Sequence, residues 1–373
     1  MKCSIVRDKL AESLAIVSRA TPARSTMPVL SHVLIEGDGE TLRLSATDLD
    51  ISISCRVEAD IDGDGGLSVP SRLFRDLIAT LDGMLTLEIE GNELTIEAGC
   101  NMAHIRGFPP DEFPMAASVE SDTESVDFAP EVMLGLLNRV VFAAAKDEIR
   151  PVLAGVLFTT SGREISAVAS DGFRLSEVIV RSEWDLDEIK VLIPARTFTE
   201  LLRILRVEPD AVVKMTLEDA QVAFDVGCFR LSSRVLDYSY PEHKKYLPPG
   251  WKTRFVTAPG DLYRAVKAVS VFSTRGMDRI PVVLKVVGTG VEVEALGEVD
   301  TSSTEVSADV EGDGITFALH AGFLLEALKV FNSEVVFEIA APSSPVILRP
   351  LSDTVSFLHM IMPMTLGQGY DTP

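Results

Sequence analysis

One phrase recurs in this chain. "MPVLSHVLI" begins at Met27 and "RPVLAGVLF" begins at Arg150, 123 positions later. The text after each phrase also agrees. "MPVLSHVLIEGDGETLRLSATDLDISI" leads to "LSVPSRLFRDLIATL", and "RPVLAGVLFTTSGREISAVASDGFRLSEV" leads to "VLIPARTFTELLRIL". Each unit closes on an aromatic residue and then proline: "DEFP" at Pro114, "DYSYP" at Pro241. A fainter third copy starts at "RIPVVLKVV", continues through "ITFALHAGFLLEALKVF" and closes on "LHMIMP" at Pro363. A helical pattern precedes each phrase, at 7–20, in "APEVMLGLLNRVVFAAAK" and in "APGDLYRAVKAVSVF". Repeats of this size are tandem domains, well beyond the periods of solenoids.

The rest of the text fits that plan. A length of 373 residues suits two or three domains. "LRLSATDLDISISCRVEADI" and "VEVEALGEV" alternate apolar with polar residues, the pattern of antiparallel sheets wet on one face and packed on helices by the other. Proline opens helices at Pro70, Pro130 and Pro259, where its missing N–H costs nothing. "MAASVESDTES" at 115–125 and "PEHKKYLPPGWKT" at 241–253 read as joins. The expected architecture is α+β: three tandem similar domains at 1–118, 126–243 and 253–366, each with antiparallel sheets and two helices, and a tail at 367–373.

Several function classes are disfavoured. Arg7, Asp8, Lys9 and Glu12 interrupt any apolar leader, and no apolar run is long enough for a membrane span. The four cysteines, Cys3, Cys55, Cys100 and Cys228, show no paired spacing, so neither a disulfide framework nor a zinc site is expected and a cytoplasmic setting is. "DIDGDG" at 60–65 copies half a calcium loop, but Ser71 stands where the bidentate Glu is needed, so it reads as a solvated turn. Ser170 lies in no G-x-S-x-G elbow, and "VGTGVEVEALG" is followed by no helix. No catalytic machinery, metal site or cofactor site is expected.

The net charge of −22 taken alone argues against nucleic acid as a partner. Its distribution argues otherwise. Six helical windows (7–20, 71–81, 130–146, 195–206, 260–275, 321–331) hold fourteen Lys/Arg against seven Asp/Glu, leaving −29 on the rest of the chain. In "ARTFTELLRILR", Phe198, Leu201, Leu202 and Leu205 form one apolar stripe, with Arg196 and Arg203 nearly opposite. Arg72 and Arg75 likewise oppose Leu73, Phe74, Leu77 and Leu81, and Arg264 and Lys267 oppose Leu262, Val266 and Val269. A basic helical face suits non-specific phosphate contact, which positions a protein without reading sequence.

Jointly, "PARSTMPVLSHVLI", "ATDLDISI", "VPSRLFRDL", "KDEIRPVLAGVLF", "VASDGFRLS", "DYSYPEHKKYLP" and "MIMPMTL" resemble the bacterial sliding clamp, the beta subunit of the replicative DNA polymerase, over the whole chain up to Leu366. The resemblance implies the DNA clamp fold, with helices inside and sheets outside, in a head-to-tail homodimer closed into a ring around double-stranded DNA. It implies non-specific DNA contacts at Arg24, Arg72, Lys146, Arg150 and Arg196. It implies a pocket for short peptide motifs of the clamp loader, the replicative polymerase and repair proteins. The central copy matches that pocket at Leu153, Ser170, Gly172, Phe173, Arg174 and Leu175, the second join at Pro241 and Tyr246, and the third copy at Val346, Met360, Met362, Pro363 and Met364.

Alternation puts Met362 and Met364 on one face, and methionine suits a groove that accepts varied peptides. Phe173 stands where the family often has His, and Thr365 where a basic residue is common. For the seam between copies the matching stretches hold Ala103 and Ile105, and Val271 and Phe272. Two rival readings stand beside this one: a hydrolase using Asp171, and an acidic clamp-like scaffold that never encircles DNA.

Overall fold

The computed structural model describes all residues except 23, 115–124, 148, 219, 273–280, 297–300, 354 and 366–373. Most of the expected first join and the whole expected tail at 367–373 therefore lie outside the described residues. Six α-helices are found among the rest: α1 (Arg7–Val17), α2 (Ser71–Thr80), α3 (Pro130–Val140), α4 (Ala195–Val207), α5 (Pro259–Val269) and α6 (Ala321–Leu328). Proline is the first residue of α3 and α5 and immediately precedes α2 and α4, so fixed φ angles start four of the six.

The chain forms two compact units, Met1–Leu134 with Ile193–Asp237, and Gly135–Leu192 with Tyr238–Pro373. In the first unit, a five-stranded sheet runs in spatial order Asp60–Asp62, Lys2–Val6, Met84–Glu90, Glu93–Ala98, Asn101–Arg106. An eight-stranded sheet runs Ser125–Phe128, Val213–Glu218, Gln221–Val226, Phe229–Arg234, Ile51–Glu58, Thr41–Thr47, His32–Asp38, Gly66–Pro70. Its middle is a join between repeats: Phe229–Arg234 pairs antiparallel with Ile51–Glu58, placing Leu231 opposite Ile53.

Burial explains why this unit holds together. In α4 the expected stripe is inside: Phe198 and Leu201 are fully buried, Leu205 and Leu202 nearly so, and Phe198 meets the Phe224 ring at 5.9 Å. Each such side chain contributes about 1.5–3 kcal/mol. The α2 stripe differs from expectation. Phe74 and Ile78 are buried, whereas Leu73 is more than half exposed. One turn of 100° per residue cannot bury both 73 and 78, and the helix turns toward Phe74 and Ile78. Arg7, at the start of α1, donates to the carbonyls of Ile78 (3.0 Å) and Ala79 (2.5 Å), so this cation caps the C-terminal end of α2.

In the second unit a seven-stranded sheet runs Gly155–Ser170, Arg174–Pro194, Ser356–Ile361, Val346–Pro350, Val335–Ile339, Thr253–Thr257, Asp309–Gly312. A four-stranded sheet runs Thr301–Ser307, Gly290–Leu296, Pro281–Val287, Ile315–His320. The seven-stranded sheet repeats the join of the first unit, since Ser356–Ile361 pairs antiparallel with the Arg174 end of its neighbour and sets His359 opposite Ser176. Phe255 and Phe337 stack at 4.5 Å in its core, and α5 packs on α6. No helix is long and apolar enough to cross a membrane among the described residues.

Candidate functional site

The tight turn at 170–174 organises the second unit's surface. Ser170 Oγ donates to the Arg174 carbonyl (2.7 Å) and accepts from the Gly172 N–H (3.0 Å). Asp171 Oδ1 accepts from the N–H groups of Phe173 (2.9 Å) and Arg174 (3.0 Å). These short polar side chains satisfy the turn's own backbone, and Gly172 supplies the positive φ of 87° that it requires. From this turn Arg174 runs inward and is 3% exposed. Its guanidinium meets Asp171 (3.0 Å), Glu326 on α6 (2.5 Å) and the Phe142 carbonyl (2.7 Å), with the Phe323 ring centroid at 4.4 Å and that of Phe142 at 5.4 Å. The buried charge is thus fully partnered.

Beside it, His359 is wholly buried, receives or gives one hydrogen bond with Ser176 Oγ (2.7 Å), and has its pKa driven down to about 3 by burial and then by the Arg174 charge. The imidazole is therefore neutral at pH 7.

A floor of Val168, Leu175, Ile347, Leu358 and Met360 lies under the turn, with Leu157, Tyr240 and Leu247 packed against it. The Tyr240 hydroxyl is buried without a hydrogen-bond partner, and burial followed by the Asp171 charge pushes its ionisation well upward. The Met362 N–H donates to the Phe173 carbonyl and the Met364 N–H to the Ala318 carbonyl, both at 2.8 Å, so Met362 sits beside the turn. His243 bonds Glu177 (3.1 Å) and holds the His243–Tyr246 turn on the same sheet.

The thirteen expected pocket residues fall into three groups. Phe173, Met362 and Tyr246 are exposed by 40%, 38% and 61%, and Gly172 and Pro241 are exposed as well. Leu153, Ser170, Pro363 and Met364 are half-buried. Arg174, Leu175, Val346 and Met360 are buried, so they shape and support the patch without offering free surface. The result is an aromatic and thioether surface on a rigid apolar floor, a chemistry that holds apolar peptide side chains.

The expected phosphate-facing cations are placed as follows. Arg24 is exposed with no ion-pair partner among the described residues. Arg72 on α2 is almost fully exposed, 3.7 Å from Asp76. Lys146 is exposed, 3.8 Å from Glu326. Arg196 on α4 pairs with Asp48 and donates to the Arg19 carbonyl. Arg150 lies on the 170–174 turn, donating to the Asp171 carbonyl (2.7 Å) with the Phe173 ring 6.0 Å away, so the structure groups it with the pocket residues. Arg203, expected opposite the α4 stripe, pairs with the buried Glu200, as does Arg19.

At the expected seam, Ala103 is half-buried on the edge strand Asn101–Arg106, while the Ile105 side chain is 3% exposed and belongs to its own core. Val271 and Phe272 are exposed by 77% and 46%, just after α5. The other edge, Thr301–Ser307, escaped the sequence reading, because no local pattern tells an edge strand from an inner one. Sequence spacing gives no sign of one thiol contact. Cys55 and Cys228 lie 173 positions apart, yet their sulfurs are 3.2 Å from each other as free thiols. Among the described residues no cluster of His, Cys, Asp and Glu could hold a metal ion.

Sequence models of the DNA polymerase III beta subunit match the chain throughout: the N-terminal domain at residues 1–117, the central domain at 127–242 and the C-terminal domain at 244–365. The beta sliding clamp of Synechocystis sp. is 30% identical over 394 residues, covering 98% of this chain and all of that protein. The Pseudomonas aeruginosa sliding clamp, solved bound to griselimycin, superposes with a TM-score of 0.89 at 25% identity, over 98% of this chain and all of that one. The Bartonella birtlesii clamp gives a TM-score of 0.91 at 24% identity over the same shares. The chain belongs to the family of the bacterial DNA polymerase III beta subunit, the non-catalytic sliding clamp that confers processivity on the polymerase.

Proposed function

We propose that two copies of this chain close head to tail into a ring around duplex DNA, built of three domains per copy at 1–118, 126–243 and 253–366, with the helices facing the DNA. One topological observation carries this reading. Twice within the chain, the last strand of one repeat pairs with a strand from the first half of the preceding repeat: Phe229–Arg234 with Ile51–Glu58, and Ser356–Ile361 with Arg174–Pro194. Two strands of the same kinds stay at sheet edges, Asn101–Arg106 of the first repeat and Thr301–Ser307 of the third. An unpaired edge is a template for another chain, and the third join is completed only between copies. The exposed Val271 and Phe272 support the same seam, since α5 packs on Thr301–Ser307.

The cations serve this purpose weakly by design. Arg72, Lys146 and Arg196 each share a carboxylate, which moderates their pull on phosphate. Retention then rests on topology, and loose contacts permit sliding. The patch of Phe173, Tyr246, Met362 and Met364 receives short peptides with Gln and Leu or Phe anchors from the clamp loader, the polymerase and repair proteins. The setting is the cytoplasm, and no cofactor is required.

Retention on circular DNA, before and after linearisation, tests the ring. A loaded ring stays on the circle and slides off once it is cut. Equal retention on both forms overturns the reading. The double variant Val271→Asp/Phe272→Asp, which alters only exposed side chains, should be monomeric and fail to stay on circles. A persistent dimer there refutes the seam while leaving the ring intact.

A further inference from the structure

The join between the first two repeats carries a pair of thiols that clamp function does not use. Cys55 is buried on the strand Ile51–Glu58, and its thiol also lies 3.5 Å from Ser13 Oγ on α1. Cys228 is exposed in the turn just before the strand Phe229–Arg234. Sheet register fixes both: Phe229 pairs with Cys55, and the Arg56 N–H donates to the Cys228 carbonyl at 3.1 Å. The turn itself is set by Gly227 at φ +57°, where an added Cβ would lie 2.5 Å from the Glu208 side chain. The Glu208 carboxylate in turn accepts from the Cys228 thiol (3.5 Å). The two sulfurs, 3.2 Å apart, need to close by only about 1.2 Å to reach bonding distance.

We propose that Cys55 and Cys228 are a reversible oxidation site, in which hydrogen peroxide or a similar two-electron thiol oxidant closes a disulfide that staples the first repeat to the second. The Cys228 sulfur attacks peroxide, the O–O bond breaks and hydroxide leaves, giving a sulfenic acid. The Cys55 sulfur then attacks that sulfur, the S–S bond forms, the S–O bond breaks and a second hydroxide leaves. The two thiol protons convert both hydroxides to water, so peroxide gains the two electrons that the thiols lose. The roles follow from position: the exposed sulfur meets the oxidant, and the buried one resolves it. The thiol–thiol hydrogen bond lowers the Cys55 pKa and raises that of Cys228, so the buried thiol ionises first, and the Cys228 proton passes across the sulfur–sulfur contact to Cys55 as the exposed sulfur attacks. The other two cysteines are built-in controls. Cys3 is buried with its thiol pushed up to about 11, and Cys100 is exposed with no partner sulfur.

The test exposes the full chain to hydrogen peroxide, blocks free thiols with iodoacetamide and maps the digest by mass spectrometry with and without dithiothreitol. A Cys100→Ser background removes cross-linking between chains through Cys100. The expected result is one Cys55–Cys228 linked peptide, joint loss of those two thiols, full recovery on reduction and a raised Tm that dithiothreitol abolishes. Oxidation of Cys228 to sulfinic acid while Cys55 still alkylates overturns the proposal. So does survival of both thiols under conditions that oxidise Cys100 in the native chain. In Cys55→Ser, Cys228 lacks its resolving partner and should pass to sulfinic acid. Its full recovery by dithiothreitol in that variant would contradict the pairing.

Discussion

The turns at 47–51 and 170–174 are the same device used for two ends. In the first, Thr47 Oγ1 donates to the Ile51 carbonyl and accepts from the Leu49 N–H, while Asp48 Oδ1 accepts from the N–H groups of Asp50 and Ile51. Ser170 and Asp171 make the same four bonds in the second. The middle residue has φ +80° at Leu49 and +87° at Gly172. The corresponding stretch of the third repeat, 297–300, lies outside the described residues. What differs is the side chains. Asp48 turns its second oxygen to Arg196 of the next repeat, whereas Asp171 turns it to Arg174 of its own turn, which then runs into the core. One turn makes a joint between repeats, and the other carries an exposed Phe173 over a braced floor. A repeated backbone thus became a joint in one copy and an exposed aromatic platform in the next through a few side chains.

The largest expected effect follows from that contrast. Arg174→Met removes the guanidinium from Asp171, Glu326 and the Phe142 carbonyl and should cost about 3–5 kcal/mol. Arg196→Met removes a half-exposed pair and should cost about 0–1 kcal/mol. Urea unfolding of both variants measures the difference. Equal losses would erase the distinction drawn between the two turns.

A second contrast lies one step along the strands. Where the first join sets Leu231 against Ile53, the second sets His359 against Ser176. The His359 pKa falls to about 3 in the folded chain, against 6.5 for the free side chain. The unfolded chain therefore binds the extra proton first, and stability is lost as pH drops from about 6.5 toward about 3. Between pH 7 and 4.5 the loss due to this group is about 2–3 kcal/mol. Ser176→Ala/His359→Leu, which restores the apolar character of the first join, should flatten the slope by that amount in denaturation at the two pH values. An unchanged slope would locate acid sensitivity elsewhere.

Much of this was legible in the sequence, and the failures share a cause. The repeats, the proline-led helices and the Phe198 stripe are local signals, written within a dozen residues. The fate of Leu73 was not, because two candidate stripes on α2 differ by one residue and only packing decides between them. The Cys55–Cys228 approach and the edge status of Thr301–Ser307 depend on strand pairing between repeats, which no window of sequence contains. The same holds for Arg150, whose guanidinium is drawn to the Asp171 carbonyl by a turn more than twenty positions away. Family resemblance proposes thirteen pocket residues, but which of them face solvent is settled by packing alone.

A third test alters the middle residue of each turn. Leu49 is held at positive φ with a β-carbon, a strain of about 1–2 kcal/mol, so Leu49→Gly should raise stability by about 1 kcal/mol after the entropy of glycine is counted. Gly172→Ala should lower it by about 1–2 kcal/mol, because the φ is strained and the new Cβ would meet Arg150 at 2.4 Å. Thermal unfolding of the pair checks both signs. A gain at 172 or a loss at 49 would show that the two turns are not equivalent after all.

The smallest effect concerns the aromatic residue that closes each repeat. Phe113 is buried against Val29 and Leu34 in the first, and Tyr240 packs on the floor of Val168 and Leu175 in the second. The extra hydroxyl of Tyr240 is buried with no partner, in the field of Asp171. An unsatisfied buried hydroxyl is unfavourable, and nothing in the turn's own bonding needs it. Tyr240→Phe makes the second repeat like the first and should therefore be stabilising, by about 1 kcal/mol in urea unfolding. A loss of similar size would mean that the hydroxyl donates to a group within the floor, and that the second repeat kept its tyrosine for structural reasons.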